Sequence, residues 1–303
     1  MDILRMDLAD TGSPEGLVSL ILKHEPNLPL PVPIEELALQ LEIEEIAELQ
    51  TEGFEGGLIT DTVRSRGIIL VRKGMSRPRR RFTIGHELGH FLIANHIPDK
   101  DGQFLCSRED LRALSAEEGD RRAKMEVEAN RFSSLILMPP PKLRDAFKKH
   151  PSPSLEHVFE LADRFDVSKE AMARAYAEYH PESLAFIVVK DKKVGRVYHN
   201  RKRFPFVVAS RNKSVPQGST FYRRDLQIGV PSEIESRLPD LWIDVARGQR
   251  APTLSEQVCL QKNGFALIML WHESTEEEEE ENEDMTTRDR WRAQQERYRR
   301  DRS

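Results

Sequence analysis

Cysteine is scarce in this sequence: only Cys106 and Cys259 occur, far apart and outside any Cys-x-x-Cys pair. A disulfide framework and a thiolate zinc finger are therefore excluded, and a reducing compartment is expected. Long apolar runs are also missing. The longest uncharged stretches, such as FALIMLW at 265–271, fall far short of the roughly 20 residues a membrane helix needs. The first residues, MDILRMDLADTGSPEG, lack a basic region leading into an apolar one, so no secretion signal is read there. The expectation is a soluble, cytoplasmic chain without membrane association. Neither sign of charge dominates: 46 Lys and Arg stand against 51 Asp and Glu, a net charge of -5, which argues against nonspecific coating of nucleic acid. No repeat with a period of 20 to 50 residues is present.

What is there suits a folded protein. The chain has 303 residues, 38% hydrophobic and 32% charged, enough for one sizeable core or two smaller ones. The charge is unevenly placed, because residues 274–303 hold 11 acids and 7 arginines, a net of -4, and leave the body nearly neutral. That tail begins with a Glu run and has too few apolar residues to offset ordering entropy, so it is expected to be disordered or marginally helical.

Helical spacing is read at Leu17–Leu22, ended by PNLPLPVP, and again from Ile34 in IEELALQL. IEEIAEL, GGLIT and RGIILVRK read as three short strands. In RRRFTIGHELGHFLIANH, Ile84, Leu88, Phe91 and Leu92 form the stripe of a buried helix. A second long helix is expected from about Glu117 to Leu137, stopped by the prolines that follow. Three shorter helical patterns come next: KLRDAFKKH, SLEHVFELADRF and SKEAMARAYAEY. The last two are joined tightly at Asp166-Val167-Ser168, with Ser168 a candidate N-cap. From residue 182 the pattern turns strand-like, in LAFIVVK, RVYHN, FPFVVAS, LWIDVA and VCLQKNGFALIMLW, predicting a separate α+β domain.

His86-Glu87-Leu88-Gly89-His90 is an HExxH arrangement, which on a helix sets two imidazoles one turn apart on one face, within reach of a single zinc ion. Glu87 is the one acid between Phe82 and Asn95, and an unpaired carboxylate on so apolar a helix is costly to bury. A divalent cation with a water beside it would remove that cost. Zinc needs a third protein ligand. His96 stands where the extended pattern HExxHxxGxxH has its third His, but Ile93 replaces the turning Gly, and on a continuing helix His96 would point away from the other two. The alternative is an acid on the second long helix. In EVEANRFSSLILMP, Glu126 is favoured, with Asn130 one turn on to hydrogen-bond a ligating imidazole; Glu128 is the rival, about 200° around the helix.

RRRFTIGHELGH followed by EVEANRFSSLILMP resembles the ImmA/IrrE-type metallopeptidases, bacterial regulatory proteases, over about residues 30–180. The resemblance implies an α+β protein whose zincin-like metallopeptidase domain pairs a small sheet with the HExxH helix (1–145). It is followed by a helix-turn-helix-like segment (146–181), a second α+β domain that is GAF-like in the radiation-response members (182–273) and the tail (274–303). It assigns metal ligation to His86, His90 and Glu126 and the general base to Glu87. Zinc is the expected cofactor, although this ligand set also accepts manganese or iron. The segment between the motifs, IPDKDGQFLCSREDLRALSAEEGD, is longer than in compact members.

The implied activity is a site-specific zinc endopeptidase whose substrate is a helix-turn-helix transcriptional repressor, cut to release stress, DNA-damage or mobile-element genes. Because both imidazoles must be neutral to bind metal, activity should fall in mild acid. A non-proteolytic anti-repressor or adaptor is the second reading. A DNA-binding regulator is the third, disfavoured because Lys169 and Arg174 are balanced by Glu170 and Glu178. Arg77, Arg79, Arg80 and Arg81 suit either steering of an acidic partner or a solvated helix start. Tyr176, His157 or an Arg are candidates for stabilising an oxyanion. Oligomeric state is not legible.

Overall fold

The structure is a computed structural model describing residues 1–273 apart from 62, 99–101, 118, 201–202, 205–206, 208–210 and 244–252. The tail at 274–303, and most of the FPFVVAS and half of the LWIDVA stretches, lie outside the described residues. Two compact units emerge. Unit 1 comprises Met1–Lys149 and Val158–Met172; unit 2 comprises His150–His157 and the chain from Ala173 onward.

In unit 1, α1 (Pro14–His24) starts where the Ser13 hydroxyl accepts the Gly16 N–H at 3.2 Å and Pro14 occupies the first turn, where its missing N–H is harmless. α2 (Ile34–Gln40) leads into β1 (Ile43–Leu49), β2 (Gly56–Thr60) and β3 (Gly67–Arg72). These join β4 (Gln103–Cys106) in a four-stranded sheet of order β1-β3-β2-β4, in which only the β1–β3 pair is parallel. β4, an edge strand, arises inside the long segment between the motifs.

α3 (Arg77–Leu92) buries Ile84, Leu88 and Phe91, while Leu92 is half-buried. α4 (Arg121–Leu137) begins later than the pattern suggests, because Gly119 takes a positive φ and the Asp120 carboxylate caps the Ala123 N–H at 2.9 Å. Its stripe of Ala129, Phe132 and Ile136 is buried. α5 (Pro140–Lys149) starts within the proline run. α6 (Leu155–Phe165) and α7 (Lys169–Tyr179) each contribute to both units, and the Ser168 hydroxyl caps α7 through the Ala171 N–H.

The arginine cluster at the start of α3 is satisfied within unit 1. Arg77 and Arg81 pair with Asp166, Arg79 with Glu55, and Arg80 with Glu35 and Glu48. A free basic surface for steering a partner is therefore not formed by these four side chains.

Unit 2 is built on an antiparallel five-stranded sheet of order β6-β5-β9-β8-β7: β5 (Ser183–Lys190), β6 (Lys193–His199), β7 (Glu235–Arg237), β8 (Thr253–Leu260) and β9 (Phe265–Glu273). Ile187, Trp242, Val258 and Ile268 share its core. Glu256 is fully buried there, accepting from the Ser219 hydroxyl, the Thr220 N–H and the Trp242 indole at 2.7 to 2.9 Å and pairing with Arg237. Both units mix helix and strand, an α+β architecture. Among the described residues no helix is long and apolar enough to cross a membrane.

Candidate metal centre

α3 and α4 meet along small residues, and that close approach builds the site. A Cβ on Gly85 would stand 2.6 Å from the Ser133 hydroxyl, and one on Gly89 would stand 3.2 Å from the Cα of Ala129. With the helices this near, Glu126 reaches the face of α3 that carries His86 and His90. The two imidazole Nε2 atoms are 3.1 Å apart, and Glu126 Oε2 is 3.2 Å from one and 3.5 Å from the other. Both His residues are fully buried and Glu126 nearly so.

Hydrogen bonds behind the rings decide what those nitrogens present. The Asn130 amide donates to the carbonyls of Asp110 and Ala113 at 2.7 and 3.1 Å, so its oxygen faces His86 and accepts the Nδ1–H at 2.9 Å. His86 Nε2 then carries a lone pair. On the other ring, His96 Nε2 donates to Glu128 at 3.1 Å, leaving His96 Nδ1 to accept from His90 Nδ1–H at 3.0 Å. His90 Nε2 is a lone pair as well. Two lone pairs and a carboxylate oxygen that accepts no hydrogen bond converge in a site without exposed surface, an arrangement that repels itself unless a cation lies among them. Donors around a tetrahedral zinc with bonds of 2.0–2.1 Å stand about 3.3 Å apart, which matches these spacings.

The proton affinities agree. Burial pushes His90 down to about 3, with the neighbouring His86 adding to the effect. Glu87 moves the other way: burial, then the nearby charge of Glu126, raise its carboxyl well above the ordinary value. Gly56 makes room for it, since a Cβ there would lie 2.5 Å from Glu87 Oε1, and that oxygen has no hydrogen-bond partner.

Two expectations need correcting. The helix does not continue to His96: α3 ends at Leu92, Ile93 is extended, and the reversed chain is fastened by the Arg64 guanidinium, which donates to the carbonyls of His90, Ile93, Ala94 and His96. His96 is thus fully buried behind His90 instead of pointing away, on the side opposite the converging donors. Glu128, weighed only as a rival ligand, pairs with His96 and closes that chain.

Sequence reasoning missed Cys106. Its Sγ lies 3.4 Å from His86 Nε2, 3.7 Å from His90 Nε2 and 3.8 Å from Glu87 Oε2, and His86, Glu87, His90 and Cys106 form a buried cluster able to hold a metal ion. The signal available was the alternation in QFLC, with Phe104 and Cys106 on the buried side of β4. Tyr176 and His157 lie in unit 2, where they hydrogen-bond to each other at 3.0 Å.

A sheet preceding an HExxH helix, with an acid from a second helix beside it, defines a metallopeptidase-type domain. Residues 44–176 match the sequence model of Peptidase_M78, the IrrE N-terminal-like domain. It is similar to the radiation response metalloprotease IrrE of Deinococcus radiodurans, 28% identical over 130 residues, which cover 43% of this chain and 36% of that protein. The match therefore spans little more than a third of that relative's length. By fold the chain is similar to a Mycobacterium tuberculosis transcriptional regulator, with a TM-score of 0.50 and 12% identity over 88% of this chain and 79% of the other.

Proposed function

We propose that this protein is a site-specific zinc endopeptidase of the cytoplasm that cuts a helix-turn-helix transcriptional repressor and thereby releases stress, DNA-damage or mobile-element genes. The observation that carries this reading is the meeting of two imidazole lone pairs and an unpaired carboxylate oxygen beside a second buried acid. His86, His90 and Glu126 would hold the ion. When bound, zinc lowers the pKa of a water toward about 7 and polarises the scissile carbonyl. Asn130 and His96 fix the tautomers that turn both Nε2 atoms to the ligand side. Glu87, its proton affinity raised by burial, takes the proton of the attacking water and returns it to the leaving amine. The repressor substrate is taken from the resemblance and from the radiation-response role in the relative's name. Unit 2 is assigned to holding the partner or sensing the signal, as the GAF-like domain of radiation-response members suggests.

Co-expression with the product of a neighbouring helix-turn-helix gene tests the proposal. The wild type should yield a truncated partner. Glu87→Gln should bind one equivalent of zinc and lower cleavage by about 10²–10⁴-fold. A variant that binds zinc, leaves the partner intact and still relieves repression would instead establish the adaptor reading.

A further inference from the structure

Cys106 is more than a buried packing residue at the rim. Its sulfur lies within 4 Å of three metal-site atoms: the Nε2 atoms of His86 and His90 and Oε2 of Glu87. A thiolate at 2.3 Å from zinc and an imidazole at 2.0–2.1 Å stand about 3.5 Å apart around a tetrahedral ion, and the two sulfur–nitrogen distances, 3.4 and 3.7 Å, straddle that value. An independent observation points to a cation at this place: Glu126 Oε2, on a side chain only 5% exposed, is aimed at the same two nitrogens and accepts no hydrogen bond. β4 fixes the sulfur from behind, since Cys106 pairs in register with Gly56, the glycine that makes room for Glu87.

We propose that Cys106 is a fourth metal ligand, whose thiolate closes the position that water must occupy for peptide hydrolysis and so holds the site in a latent form. This rests on the metal site proposed above. A thiol that coordinates a divalent ion gives up its proton, so two imidazoles, a carboxylate and a thiolate would supply four donors, the number that structural zinc prefers. Catalytic sites keep one of those positions open. Opening this one needs only that β4 withdraw the sulfur, because the other three donors stand on α3 and α4. A partner or signal that moves the edge strand would therefore switch the enzyme on without disturbing its ion.

Cobalt substitution in the full-length protein separates the two claims. Wild-type protein should take one equivalent of cobalt and show the sulfur-to-cobalt charge-transfer band in the near ultraviolet. Cys106→Ala and Cys106→Ser should keep the equivalent and lose the band, while Cys259→Ala keeps both. Azide should shift the visible cobalt bands of Cys106→Ala but not those of the wild type, because only the variant has a position to give. Cobalt bound to the wild type without the sulfur band, or a band that survives in Cys106→Ala, overturns the fourth ligand and leaves the three-donor site standing. Failure of the wild type to bind cobalt at all removes the metal-site reading itself. The serine variant covers the case in which alanine does not fold.

Discussion

Asn130 holds one imidazole through its oxygen and two main-chain carbonyls through its nitrogen, so its loss should be felt by the metal more than by the fold. Asn130→Ala is expected to weaken zinc binding about 10–100-fold, measured by competition with a chromophoric chelator. Unchanged affinity would mean that His86 is oriented by something else. A second residue-scale prediction concerns His180, which stacks on Tyr176 and is pushed down to about 4 from an ordinary 6.5, by burial and then by His157 and Arg203. Between those two values the unfolded chain binds a proton that the folded chain refuses. Its contribution to stability is therefore whole above about 6.5 and is lost as pH falls toward 4. The urea midpoint of metal-free protein should drop between pH 7 and pH 5, and His180→Asn should flatten the drop. At this scale the two histidines, Glu87, Glu126 and Asn130 were legible because they share a helical spacing that one sequence displays. Cys106, Arg64 and the inward turn of His96 were not, because each depends on where a separate segment folds back.

The α3–α4 seam sets the site by letting two helix backbones approach. Gly89 faces Ala129 and Phe132 with no space for a side chain. Gly89→Val should cost about 1–3 kcal/mol by overpacking, lower the Tm by several degrees and weaken zinc binding as Glu126 is pushed away. A variant that melts earlier but binds zinc normally would show that Glu126 is placed by something other than this seam. Helices with a repeating apolar stripe, such as α3 and α4, and the continuous apolar run of β5 could be read from the sequence. β4 could not, since it has four residues and lies in a stretch whose charge reads as loop. Nor could the early end of α3, which is fixed by a guanidinium nearly thirty residues upstream in the chain.

Across the whole molecule, each unit has its own sheet and core, and this gives a prediction that crosses the chain. Removing the Glu256 carboxylate leaves Arg237, the Trp242 indole and the Thr220 N–H without their shared acceptor. Glu256→Ala should destabilise unit 2 by about 3 kcal/mol or more while changing zinc affinity by less than about twofold. A loss of metal binding in step with the loss of stability would show that the two halves unfold together. The change of texture near residue 182 announced the strand-rich part. The exchange of 150–157 and 158–172 between units was not announced, because its boundaries fall inside α6 and α7.

That exchange has a practical edge. The polypeptide leaves the first body after Lys149, comes back at Val158 and departs again after Met172. A gene fragment stopped after codon 149 would encode a first body missing fifteen of its own amino acids, one stopped after codon 145 would lack nineteen, and a swap of the C-terminal body between relatives would have to be spliced inside two helices.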